Sequence, residues 1–197
     1  TLKLNTVINS RAGQDYNHSL QFLDKAQLTN YDRGQLYILS LSHSLSSKSF
    51  FQINFSSFNK KFESNLFQDP QDNRYATPDS LYWINTQGIV PEHIIDLYGE
   101  DVKFFPPYSL YKAGVDNRRF ERETNTQTIK ADYTSQINKY NQIKFGFDYT
   151  EVDLQLDSYS ILDSVQTDQV YTPFIPEVGS ISRTNYKRTP KEIAVYT

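Results

Sequence analysis

The sequence contains no cysteine. This absence excludes disulfide bonds, thiolate metal sites and a cysteine nucleophile. No apolar run approaches the roughly 18 residues that a transmembrane helix needs. The phosphate-binding loop, the dinucleotide-binding fingerprint and the nucleophile elbow of serine hydrolases are also missing. The net charge of -3 is too small to predict a nucleic-acid partner, so we expect none.

Aromatic residues are abundant in this chain, whereas aliphatic residues are scarce. The chain has 15 Tyr and 13 Phe against one Trp, while its hydrophobic content is only 38% and its mean hydropathy is -0.63. Flat rings pack well on a pleated surface, so this composition favours strands over helices. Glycine and proline are too few for a collagen-like or a low-complexity chain.

Polarity alternates with a period of two in several segments, which is typical of half-buried strands. The clearest hairpin places Tyr37, Leu39 and Leu41 on one side of a strand and serines on the other. The alternation predicts an all-β protein of antiparallel, up-and-down strands. We expect about six strands, at 1–10, 34–46, 49–63, 124–137, 142–158 and 185–197.

The fifth predicted strand changes its apolar side near Thr150. Apolar residues occupy odd positions up to Tyr149 and even positions from Val152 onward. A β-bulge would cause this change, and so would a strand that leaves a bilayer and enters water. The acidic residues Glu151 and Asp153 favour the second explanation.

The connections alternate between long and short. Tight turns are expected at 46–48 and 138–141, and long loops at 10–33, 64–123 and 163–183. Loop 64–123 contains a predicted short helix at 91–98, with proline at its start and glycine just after its end. Such sorting is typical of an outer-membrane barrel with short periplasmic turns and long extracellular loops. We therefore expect 1–197 to be part of a large transmembrane β-barrel.

The polar side of the predicted strands carries charges of both signs, including Lys130, Asp132, Lys144 and Asp148. These residues suit a hydrated lumen, and aromatic residues near the strand ends suit a girdle at the lipid headgroups. Alternation alone is also compatible with a soluble sheet that covers a core. A soluble carbohydrate-binding β domain is therefore one alternative.

Three segments carry a resemblance to a known family: 126–139 with 142–149, 41–51, and 186–196. They resemble the barrel region of TonB-dependent receptors of the Bacteroidota type. The resemblance implies a barrel of about 22 strands with a plugged lumen, in the outer membrane of a Gram-negative bacterium. It further implies import of a small nutrient, such as a siderophore, oligosaccharide, peptide or vitamin. The implied partners are outer-membrane lipid and TonB, reached through a plug domain that is absent from this sequence.

Metal and catalytic chemistry have weak support. His18, His43 and His93 lie in different segments, and the loop acids lack the spacing of an EF-hand. Those acids are Asp69 and Asp72 with Asn73, and Asp96, Glu100 and Asp101. Glu151 and Asp153 share a strand face as a glycosidase pair might, but a strand extending into water explains them without catalysis. We predict no metal, no cofactor and no enzymatic activity.

Aromatic residues in and beside loop 64–123 are the candidates for ligand binding. Rings among Asn, Asp and Arg suit recognition of a sugar, a peptide or a siderophore. The same rings would also pack a large ordered loop against itself, and both interpretations stay open. A non-transporting outer-membrane barrel or adhesin is a second alternative function. The candidate residues are Tyr75, Tyr82, Trp83, Tyr98, Tyr108 and Tyr111.

Overall fold

The computed structural model describes residues 1–21, 23–76, 114–165 and 171–197. In this part of the chain the helical segments are short 3₁₀ turns at His18–Leu20, Asp24–Ala26 and Asn73–Tyr75. The strands are β1 (Leu2–Gly13), β2 (Thr29–Ser46), β3 (Ser49–Asn65), β4 (Arg118–Gln136), β5 (Gln142–Ser160), β6 (Leu162–Val165), β7 (Tyr171–Phe174), β8 (Arg183–Arg188) and β9 (Lys191–Tyr196).

One antiparallel sheet dominates the molecule. Its order is β1-β2-β3-β4-β5, and both β8 and β9 pair with the far side of β5. Strands that are neighbours in the sheet are also neighbours in sequence from β1 to β5, so the predicted up-and-down arrangement is confirmed. Within the described residues the sheet is open, with β1 at one edge and β8 and β9 at the other.

Both predicted tight turns are present, and side chains fix them. At the first, the Ser46 hydroxyl accepts a hydrogen bond from the Lys48 amide at 3.1 Å. At the second, the Asn138 side-chain oxygen accepts from the Tyr140 and Asn141 amides, each at 2.9 Å. Asparagine favours turns because its side chain can hydrogen-bond the backbone two residues on. We call this end of the sheet the turn end and the opposite end the loop end.

The strands run further toward the loop end than the sequence predicted. β2 begins at residue 29 instead of 34, and β4 begins at 118 instead of 124. These extensions carry polar residues on both faces, so their sequences show no alternation between polar and apolar residues. Their backbones nevertheless pair with the neighbouring strands. The loops are correspondingly shorter, and 163–183 contains the β6–β7 hairpin. The predicted helix at 91–98 lies outside the described residues.

β8 and β9 occupy one strand position that is interrupted at Thr189 and Pro190. The pairing register with β5 is the same on both sides of the break, as Leu154↔Arg188 and Glu151↔Lys191 demonstrate. Proline has no amide to donate, but the Pro190 carbonyl still accepts from the Val152 amide at 3.0 Å. The predicted strand at 185–197 is therefore present as two segments.

The change of apolar side near Thr150 is not a β-bulge. β4 and β5 pair without a register shift from Arg118↔Ser160 to Gln136↔Gln142. The bulge explanation is wrong. β5 instead continues as one regular strand whose two halves carry apolar residues on opposite faces.

Pairing places every side chain on one of two faces. The front face carries the odd-numbered residues of β2–β5, β8 and β9 and the even-numbered residues of β1; the back face carries the others. In the described residues the buried apolar side chains lie outside the main sheet, at Leu20, Ala26, Tyr75, Ala76 and Ile161. The packed core is therefore among the loops, and both faces of the sheet remain uncovered near the turn end.

Candidate functional site

An apolar band crosses the front face near the turn end. Two cross-strand rows of mostly apolar residues span all six strand positions, and a third spans four. The band is exposed, with 38% of Phe55, 43% of Ile129 and 49% of Phe145 accessible. The rows are Leu4, Leu39, Phe55, Ile129, Tyr149 and Ile193; Leu2, Leu41, Ile53, Ala131, Phe147 and Val195; and His43, Phe51, Tyr133 and Phe145.

The band has the height of a bilayer-spanning strand. On β2 it runs from Tyr37 to Leu45, and along β4 it runs from Ile129 to Ile137, which directly follows the strand. Each run covers about 27 Å along the strand at about 3.4 Å per residue. A tilted barrel strand needs about 9–11 residues to cross the hydrocarbon region, so both runs meet the lower end of this requirement.

Tyrosines mark the border of the band on its loop-end side. The Tyr149 hydroxyl donates to the Glu151 carboxylate at 2.6 Å, and the Tyr37 hydroxyl donates to the Gln35 side chain at 3.5 Å. In both cases the ring adjoins the apolar rows and the hydroxyl bonds to a residue on the loop-end side. Rings held this way suit an interface between an apolar phase and water.

Beyond these tyrosines, toward the loop end, the front face carries oppositely charged side chains that form ion pairs. Lys61 contacts Glu121 at 2.9 Å and Glu63 at 3.1 Å, and Glu63 also lies 3.6 Å from Arg33. Partial burial lowers the pKa of Lys61, but its hydrogen bonds to the two glutamates outweigh this effect and raise the pKa overall. These ion pairs link β2, β3 and β4, which suits strand extensions surrounded by water.

A bidentate ion pair fastens β8 to β5 at the loop end. Arg183 donates to both carboxylate oxygens of Asp157, at 2.8 and 2.5 Å. These hydrogen bonds lower the pKa of Asp157 despite its partial burial. The guanidinium also lies 4.5 Å from the centre of the Tyr159 ring. The contact ties the last strand position to the rest of the sheet.

The carboxylates considered as a glycosidase pair are engaged with neighbouring side chains. Glu151 accepts from Tyr149 and lies 3.5 Å from the Lys191 ammonium. Asp153 accepts from Gln155 at 3.1 Å and from Thr189 at 3.5 Å. These contacts join β5 to the following strand position, so a structural role accounts for both acids.

The back face near the turn end is polar, with Lys130, Asp132, Lys144 and Asp148 on one face as expected. Tyr196 of β9 crosses β5 above Gly146, and its hydroxyl donates to Asp132 of β4 at 2.5 Å. A Cβ at Gly146 would lie 2.1 Å from the Tyr196 ring. The glycine therefore provides the space for a hydrogen bond that spans three strands.

Tyr75 is the one ligand-binding candidate within the described residues. It is fully buried, and its hydroxyl accepts from the Phe67 amide at 2.8 Å and donates to the Phe67 carbonyl at 3.1 Å. Arg119 donates to the Phe67 carbonyl at 2.5 Å and to the Gln68 carbonyl at 2.9 Å. In the structure Tyr75 packs the loop against β4, and its role in ligand binding stays a prediction. Tyr82, Trp83, Tyr98, Tyr108 and Tyr111 lie outside the described residues.

The acids considered for calcium are partly described. Asp72 caps the 3₁₀ turn at Asn73–Tyr75 and accepts two hydrogen bonds from the Arg74 guanidinium, at 2.9 and 2.7 Å. These bonds, with one from the Arg74 amide, lower the pKa of Asp72 to about 2. Asp69 accepts from the Gln71 amide at 2.9 Å. Both acids therefore stabilise turns, and Asp96, Glu100 and Asp101 lie outside the described residues.

The histidines stay apart. His18 lies 3.0 Å from the Tyr16 hydroxyl, His43 packs against the Phe51 ring, and His93 lies outside the described residues. Across residues 1–21, 23–76, 114–165 and 171–197, no three His, Asp or Glu side chains form a possible metal site. In the same ranges no helix is long and apolar enough to cross a membrane.

A groove of about 540 Å³ opens at the loop end of the back face. Phe62 and Phe120 form part of its wall, with their ring centres 5.9 Å apart in an edge-on arrangement. Hydroxyl side chains complete this side of the groove, from Ser64, Ser158 and Thr184. Sequence reasoning missed the groove because the pairing of β3 with β4 joins residues that are far apart in the chain.

Comparisons with known proteins do not assign a family. No family model matches the chain, and neither curated proteins nor solved structures match it. The geometry of the sheet is therefore the basis for a functional proposal.

Proposed function

We propose that this chain forms part of an outer-membrane, TonB-dependent transport barrel that binds a small nutrient and imports it. The front-face apolar band would contact lipid, and the back face would line the lumen. The main support is the band itself, which crosses six strand positions and leaves rings such as Phe55 and Phe145 uncovered. A soluble sheet buries such a face, because exposed apolar patches of this extent promote association.

The charge distribution gives further support. Toward the loop end the front face changes from apolar rows to ion pairs, and Tyr37 and Tyr149 lie at the border. On the back face, behind the band, the side chains include Lys130 and Asp132. Polar residues behind an apolar band are the arrangement that a membrane barrel with a hydrated lumen requires.

Cysteine substitution tests the lipid-facing assignment. The native sequence has no cysteine. A fluorophore attached at Ile129→Cys or at Lys130→Cys therefore reports the surroundings of that position alone. These neighbours lie on opposite faces of β4. In lipid vesicles, we expect nitroxide groups on the acyl chains to quench the label at 129. A water-soluble quencher should act on the label at 130. Equal quenching at the two positions would contradict the proposal.

Transport is tested in cells with and without the gene. Depletion of nutrients from the medium is followed by mass spectrometry, in the presence and absence of a protonophore. A TonB-dependent transporter predicts that uptake of at least one nutrient requires both the gene and the proton gradient. If no nutrient shows this double requirement, the non-transporting barrel or adhesin replaces the transporter.

A further inference from the structure

Toward the loop end the front face changes from apolar to charged. The back face instead changes from polar to a mixture of apolar and cationic residues. Two adjacent cross-strand rows there combine apolar and cationic residues: Phe62, Arg122, Leu156 and Tyr186, and Lys60, Thr124, Leu154 and Arg188. Neighbours within a row are about 5 Å apart, and diagonal neighbours about 7–8 Å apart. We call these eight residues the cationic patch. Phe62, Leu154 and Leu156 are half-buried, whereas Tyr186 and the three cations are exposed.

The charges of the cationic patch are not balanced. Lys60 pairs with Asp32 at 3.3 Å. Asp32 lies opposite Phe62 and is the only carboxylate in these two rows among the described residues. Arg188 lies 5.4 Å from the Tyr186 ring and donates to the Lys187 carbonyl. Among the described residues no carboxylate lies within ion-pair distance of Arg122 or Arg188. At the same level the front face carries carboxylates beside its cations, such as Glu63 and Glu121 beside Lys61, so the excess of positive charge belongs to the back face.

Phe62 connects the cationic patch to the groove at the loop end, because it belongs to both. The two arginines in the groove are occupied. Arg118 binds the Asp116 carboxylate with two donors, at 3.0 and 2.6 Å, and Arg119 donates to the Phe67 and Gln68 carbonyls. The groove therefore offers apolar and hydroxyl surface, and the cationic patch offers positive charge.

We propose that this surface binds an amphipathic organic anion, whose acidic group contacts Arg122 and Arg188 and whose apolar body lies on Leu154, Leu156 and Phe62. The inference rests on the proposed function, since it assigns the substrate class to the lumen side of the same barrel. Charge complementarity decides the class: an uncharged apolar ligand would give Arg122 and Arg188 no anionic partner, and a cation would be repelled.

Two fluorescent probes that differ chiefly in charge test this proposal. Anilinonaphthalene sulfonate and phenylnaphthylamine share an apolar ring system, and only the first carries a sulfonate. Binding is measured on the full chain in lipid nanodiscs, after subtraction of empty nanodiscs. We expect the anionic probe to bind about tenfold more tightly, and Arg122→Gln with Arg188→Gln to remove this preference. Added salt should weaken only the anionic probe.

Matched variants separate charge from folding. Arg33→Gln removes an arginine of the front face, where it pairs with Glu63, and should leave both affinities unchanged. Leu156→Ser should weaken both probes by a similar factor. Equal binding of the two probes to the native protein would overturn the proposal, as would an equal loss of preference in Arg33→Gln.

The lipid-quenching measurement at residue 129 distinguishes a failure of the anion-binding proposal from a failure of the barrel proposal. Quenching from lipid without a preference for the anionic probe would reject the cationic patch and leave the barrel in place. A preference for the anionic probe without quenching from lipid would reject the barrel while retaining the anion-binding surface.

Discussion

At the scale of single residues, Gly146 shows how one missing side chain shapes the sheet. The Tyr196 ring lies where a Cβ of residue 146 would be, and its hydroxyl reaches Asp132. We expect Gly146→Ala to displace the ring and break this hydrogen bond, at a cost of about 1 kcal/mol. Urea unfolding of the protein in lipid vesicles measures the change.

Gly34→Ala is the matched control for this substitution. Gly34 also lies on the back face, in β2, and a Cβ there meets no atom within 4 Å. The control should be neutral or slightly stabilising, because alanine restricts the unfolded chain more than glycine does. The role assigned to Tyr196 fails if the two alanine variants unfold at the same urea concentration.

At the scale of one strand, β3 offers adjacent positions with opposite surroundings. Ile53 lies in the middle row of the apolar band, and Asn54 lies on the back face. Ile53→Arg should cost about 2–4 kcal/mol, since it places a cation near the bilayer midplane, whereas Asn54→Arg should cost much less. Folding in vesicles at several urea concentrations gives both free energies. Similar costs at the two positions would reverse or remove the orientation proposed for the sheet.

At the scale of the whole molecule, the open edges carry the clearest prediction. Among the described residues β1 pairs on one side only, and so do β8 and β9. Unprotected edges promote aggregation, and a closed barrel removes them. In the folded protein in lipid, we therefore expect amides of β1 to exchange with deuterium as slowly as those of β3. Mass spectrometry of peptides from both strands makes the comparison, and rapid exchange in β1 alone would contradict closure.

Much of the fold could be predicted from the sequence because its signals are local. Alternation of Leu39, Leu41, Phe51 and Ile53 with polar residues indicated the first hairpin, and Asn138 indicated a turn whose side chain caps the backbone. These signals depend on neighbours within a few residues. They were lost where charge occupies both faces, and the starts of β2 and β4 were therefore predicted too late.

The candidate sites depended on the register between distant segments, which only the tertiary structure decided. Alternation predicted which residues of one strand share a face, but it could not predict that Arg122 stands between Phe62 and Leu156. It also could not predict that Tyr196 crosses Gly146. A shift of pairing by two residues keeps every side chain on the same face while it changes every neighbour. By itself, then, the sequence determined the strands, the turns and the apolar side near the turn end. The backbone pairing between the strands determined the band, the ion pairs and the cationic patch, because each joins residues that meet only after the strands align.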